Sequence, residues 1–343
     1  MKDEQKKVCD EDKMIDIGAC KIHPAHTGLK KSLGRIAVPI EQLLVCHNTF
    51  FKLSSVRRDR LADTFEELNL KIKFLLNFVA TRWLGAKPCA DRIVENHEAM
   101  VLFIQQYKDE NKNIADNPVY KVLEDFYSEE KKEANKCRMK FVSFLGNKYG
   151  VFLGKLQTEN PYACFIYKEI RKLVQNLIDI VSRAKLPNDN VDKFDLSKAI
   201  SDNKRHNPDY GVLLNEALDK LPTINRRAVR EELREAVIEG IKYLVKSLGF
   251  NIPELKWLTS FDPGERKEKN TKMNINKIAK VLGRFNTTEI NDLDNEVDAY
   301  INIQDSKLPK FFPSEMRLDR DYYNLVYPLM ANNLGREPEI FKR

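Results

Sequence analysis

Histidine and glycine are scarce in this chain: 343 residues hold 5 His and 13 Gly. Few imidazoles leave few candidates for acid–base work or for metal ligation near neutral pH. Few glycines go with the absence of any glycine-rich phosphate loop. No P-loop and no GxGxxG with a strand before it and a helix after it occurs, and neither HExxH nor GxSxG is present. The six cysteines, Cys9, Cys20, Cys46, Cys89, Cys137 and Cys164, keep no disulfide rhythm and form no CxxC pair. A reducing compartment, cytosol or nucleus, is therefore expected. No apolar run reaches the roughly 18 residues that a membrane span needs. The opening MKDEQKKVCDED is charged rather than signal-like.

What is present is charge of both signs and helical periodicity. The 58 basic and 51 acidic residues leave a formal net charge of +7. That balance is compatible with nucleic acid without demanding it. Residues 162–184 carry one apolar stripe at period 3.6: Phe165, Ile166, Ile170, Leu173, Val174, Leu177, Ile178 and Val181. A second long helix is predicted over 225–248, burying Val229, Leu233, Val237, Ile241, Leu244 and Leu248, with Gly249 as its stop. Shorter helices are predicted over 40–53, 61–70, 96–107, 119–127, 132–152, 275–282 and 289–303. Residues 186–209 are polar and turn-rich and read as a linker or long loop.

Two strands are expected. One is Met14–Ala19 (MIDIGA). The other is Ile72–Ala80, an apolar run broken only by Lys73 and Asn77. Thr81-Arg82-Trp83 follows where the second strand should end. A cation beside a large aromatic there could form a flat recognition platform, with Trp83 stacking on a base. The plainer alternative makes Trp83 a core anchor and Arg82 a surface charge.

Three further groups could carry chemistry. Cys20, His23 and His26 are metal-ligand types at close spacing; a zinc site needs a fourth ligand, which Cys9 could supply, although it sits in a charged tail. Packing of Cys20 and His23 at a strand-to-helix junction explains them as well. Arg226, Arg230 and Arg234 stand at i, i+4 and i+8 and would make a basic stripe. Glu231, Glu235 and Glu239 could equally neutralise it. Arg57, Arg58 and Arg60 form a second small cluster. No carboxylate pair stands out for catalysis, and no metal or other cofactor is expected.

Taken in order, these pieces resemble the hAT (hobo/Activator/Tam3) superfamily of DNA transposases and proteins domesticated from them. CKIHPAH is similar to the family's Cys-x2-His segment. VATRWLGAKPCADRIVENHEAMVLFI is similar to its stretch with an Arg-Trp pair followed by a helix. FDPGE resembles a turn near the end of its helical insertion, and YYNLVYPLMANNL the approach to its last catalytic helix. The resemblance implies that Trp83 descends from a base-stacking residue, with Arg82 its neighbour and Cys20 and His23 the family motif. It also implies a nuclear protein. The family's two Asp would lie on strands before residue 1, and Glu337 and Glu339 lack the context of its Glu. All three catalytic carboxylates are therefore expected to be missing, and with them any transposase activity.

The expected fold is mainly α, a large helical insertion-type domain attached to a partial α/β ribonuclease-H-like remnant. Residues 1–85 would be the remnant, 86–312 the helical domain, and 313–343 a segment returning towards the α/β core. The expected function is that of a transposase-derived fragment, not an enzyme, with residual DNA binding. The alternative is a helical protein-interaction module with no nucleic-acid role. Partners would then be DNA, other proteins or a second copy of the chain, and not a membrane. Unpaired edges on the two strands would favour aggregation or dimerisation.

Overall fold

The computed structural model describes residues 20–80, 82–157, 163–282 and 287–304. Among them the fold is mainly α, with fourteen α-helices and no strand. These are α1 Ile22–Leu33, α2 Ile40–Lys52, α3 Ser55–Glu67, α4 Ala86–Glu95, α5 His97–Glu110, α6 Pro118–Phe126 and α7 Lys132–Leu156. They continue as α8 Ala163–Val181, α9 Leu196–Asp202, α10 Val212–Asp219, α11 Thr223–Ser247, α12 Pro253–Trp257, α13 Thr271–Leu282 and α14 Thr287–Ile301.

Local chemistry sets several boundaries. α3 starts six residues before the predicted Leu61, because Ser54 caps it by accepting the Arg57 N–H. Asn117 caps α6 by accepting the N–H groups of Val119 and Tyr120, with Pro118 opening the helix. Gly249, at φ +91°, follows the end of α11 in the left-handed region where a side chain would be strained.

The long helices α7, α8 and α11 form the centre, and α1 lies in close contact with α11 and α7. Small residues allow that approach. A Cβ on Gly240 of α11 would overlap Ser32 Oγ of α1 and come within 2.9 Å of the Tyr149 hydroxyl of α7. α4 lies against α7 in the same way, since a Cβ on Gly146 would sit 2.6 Å from Lys87 Cβ. Arg138 of α7 reaches Glu232 of α11 through two hydrogen bonds, 2.9 and 2.6 Å, and Glu232 also accepts the Ala37 N–H. One buried apolar cluster runs from Ala25 to Leu255, and so crosses residue 85 without a break.

Two expectations need correction. Ile72–Ala80 is not a paired strand: the chain there is extended but joins no β-ladder. Its apolar residues fit a strand, yet the neighbour along it is a helix. α4 and the residue that follows it hold its carbonyls through side chains, Asn96 Nδ2 on Lys73 O at 2.6 Å, Arg92 Nη1 on Phe74 O at 2.5 Å and Cys89 Sγ on Leu76 O at 3.7 Å. Residues 186–209 are not a loose linker either. They contain α9, bury Val191, Leu196 and Ile200, and return to α8 through an antiparallel bridge between Ser182 and Lys204. Met14–Ala19, Thr81, the YYNLVYPLMANNL segment, Glu337 and Glu339 lie outside the described residues.

Candidate nucleic-acid groove

Arg82 and Trp83 turn away from each other. Trp83 opens a 3-10 turn, Trp83–Gly85, and is only 5% exposed. Its ring meets Phe78 edge-on at 5.5 Å, and the Lys30 ammonium lies 5.2 Å from its centroid. Arg82 is exposed and enters a groove of about 1060 Å³. The groove runs between the first turn of α1 (Ile22, His26), the extended segment (Asn77, Val79), the start of α4 (Lys87, Pro88) and α7 (Asn147, Val151).

The groove offers donors and positive charge, and none of its lining residues is a carboxylate. Arg82 makes no ion pair with the described residues. Lys87 is balanced by Asp91 at 2.6 Å, one turn along α4. His26 has its proton affinity lowered, first by burial and then by the nearby His23 and Arg82, so its ring is neutral at pH 7. Its Nδ1 is buried without a hydrogen-bond partner. Asn77 and Asn147 add amides that both donate and accept. Such a wall suits an anionic, hydrogen-bonding ligand such as a sugar-phosphate backbone.

The remaining sequence candidates lie elsewhere. Cys20 and His23 are exposed at the start of α1. Among the described residues no three His, Cys, Asp or Glu side chains are grouped to hold a metal ion. Cys89 and Cys137 are buried thiols whose pKa burial pushes up to about 11, which leaves them protonated and unreactive at neutral pH.

The arginines of α11 do not form an open stripe. Arg230 pairs with Asp219 of α10 at 2.8 Å, and Arg226 lies 3.8 Å from the same carboxylate. Arg234 is 2% exposed; it pairs with Glu231 and donates to the carbonyls of Arg205 at 2.8 Å and His206 at 2.9 Å. Arg234 stands three residues before Val237 and seven before Ile241, on the buried face of the helix. The Arg57 and Arg58 guanidinia bind the terminal carbonyls of α2, those of Phe50, Phe51 and Lys52. Arg60 pairs with Glu110. Asp262 of the FDPGE turn accepts the Gly264 N–H and pairs with Lys168 of α8 at 2.5 Å.

The groove residues that sequence reading missed are Asn77, Lys87 and Asn147. They are brought together only by the packing of the extended segment, α4 and α7, and no spacing in the chain announces them.

A second groove of about 450 Å³ is more apolar. Val94, Phe144, Tyr210 and Leu214 line it, beside the 71% and 76% exposed Val212 and Leu213. Among the described residues no helix is long and apolar enough to cross a membrane. Comparison with protein-family models, curated proteins and solved structures found no match to this chain.

Proposed function

We propose that this chain, derived from a hAT-type transposase, binds DNA through the Arg82 groove. The observation that supports this most is the groove wall itself, where a guanidinium with no ion pair among the described residues and several amides face a wide cleft with no carboxylate in its lining. Trp83 then keeps its place in the chain but serves packing, with Arg82 as the residue that meets the nucleic acid. The nucleus is the corresponding location.

Retention on an immobilised duplex tests the proposal. Binding should weaken steeply as salt rises, because phosphate contacts release counterions. Arg82→Ala should weaken it several-fold with no change in melting temperature. Retention that ignores salt, or none at all, would sink the reading.

The second reading is a helical protein-interaction module without a nucleic-acid role. The exposed Val212 and Leu213 beside their apolar groove favour it. Leu213→Asp should then abolish capture of the partner and leave any DNA retention untouched.

A further inference from the structure

The extended segment between α3 and α4 has one backbone edge held and the other open. An extended chain presents the N–H and C=O of one residue on one edge and those of the next residue on the other. The carbonyls of Phe74 and Leu76 are taken from α4, by Arg92 and Cys89. Leu75 and Asn77 make no backbone hydrogen bond through N–H or C=O among the described residues. Lys73, on the same edge as these two, has its carbonyl on the Asn96 amide and its N–H open. Apolar side chains accompany the open edge: Ile72, Phe74 and Leu76 are 38%, 55% and 38% exposed. Val45 of α2 is exposed one turn before Asn48, whose amide donates to Asn77 Oδ1 at 3.0 Å, and it extends the patch. Open backbone groups beside an exposed apolar patch are what strand addition uses.

We propose that the occupant of this edge is a second copy of the same segment, paired antiparallel about a two-fold axis at Leu75. Charge selects the direction. Lys71 and Lys73 stand at the N-terminal end of the segment, and residues 74–79 carry no charge. Parallel pairing in register would set like charges side by side, whereas antiparallel pairing sends them to opposite ends. The open groups select the register. Centred on Leu75, the two Leu75 residues exchange both N–H···O bonds, and the Lys73 N–H of each copy meets the Asn77 carbonyl of the other. Phe74 then falls opposite Leu76, and Lys73 opposite Asn77. A centre at Lys73 would oppose two ammonium groups. A centre at Asn77 would carry the pairing into the turn where the Arg82 N–H takes the Val79 carbonyl. The contact is isologous and closes at two copies. It does not rest on the DNA reading, since the ladder neither includes nor needs Arg82.

Sedimentation of the full chain, free of nucleic acid, over a concentration series tests it together with hydrogen exchange. A monomer–dimer equilibrium should appear, and the Leu75 amide should exchange more slowly as the dimer fills. Asn77→Glu sets a carboxylate opposite Lys73 of the other copy and should strengthen the dimer several-fold; Asn77→Lys should weaken it by a similar factor. Both variants lose the Asn48 hydrogen bond, so an effect through folding alone would move the two the same way. The same two substitutions at the exposed Asn225 of α11 should leave the dimer unchanged, which separates the pairing from net charge. A monomer at every concentration would overturn the proposal. So would a dimer whose Leu75 amide stays fast-exchanging, one that the two Asn77 variants shift alike, or one that the Asn225 variants shift as much. Protection of Leu75 that persists in the monomer would place the pairing strand within the chain and equally overturn it.

Discussion

Trp83 and Arg82 are adjacent in the chain, yet one side chain packs and the other is free to bind. The Trp83 ring lies under Lys30 and against Phe78, so Trp83→Ala should cost about 3–5 kcal/mol of stability, read by denaturant unfolding. Loss of DNA retention without loss of stability would show that the ring is a contact residue instead. His47 gives a second prediction. It is fully buried on α2, and because Leu43 O can only accept, Nδ1 carries the proton at 2.8 Å and Nε2 accepts the Tyr127 hydroxyl at 2.8 Å. Burial holds its pKa down at about 4, against 6.5 in the unfolded chain. The unfolded state therefore takes up the proton first as pH falls. The contribution is complete above pH 6.5 and is lost progressively down to about pH 4. Unfolding free energy should drop by about 2 kcal/mol between pH 7 and pH 5. His47→Gln should flatten that part of the profile, and an unchanged slope would show that His47 is not its source.

At the scale of elements, the crossing of α1 and α11 depends on Gly240. Gly240→Ala would push a methyl into Ser32 Oγ, and should cost about 1–3 kcal/mol, seen as a lower melting temperature. Combining it with Ser32→Gly should restore part of the loss; an equal melting temperature for Gly240→Ala alone would mean that the helices shift freely. The helices were largely legible because their apolar stripes follow the 3.6 period, as in α8 and α11, and because their stops carry local signals such as Gly249. The segment Ile72–Ala80 was misread for a physical reason. Alternating apolar residues specify an extended chain, but whether that chain joins a ladder depends on what lies alongside it. Here Cys89, Arg92 and Asn96, on one face of α4 and just beyond its end, take the carbonyls that a strand would have taken.

At the scale of the molecule, the helices α1, α7, α8 and α11 share one core, and the groove opens where α1, α4 and α7 meet the Arg82 turn. Arg82 was readable as a candidate from its neighbour Trp83 alone. The groove around it was not, because Asn77, Lys87 and Asn147 come from segments whose approach only the packed structure fixes. The arginines of α11 looked equally promising in sequence, but Asp219 and the carbonyls of Arg205 and His206, remote in the chain, take them up. Net charge therefore overstates the cationic surface available to a polyanion, and the case for DNA rests on one groove. The most direct measurement is the anisotropy of a labelled duplex titrated with the protein and with Arg82→Ala across a series of salt concentrations. The account predicts that log K falls linearly with log salt, and that the variant binds more weakly with a slope shallower by about one. Equal slopes and affinities for the two proteins, or no binding at low salt, would contradict it.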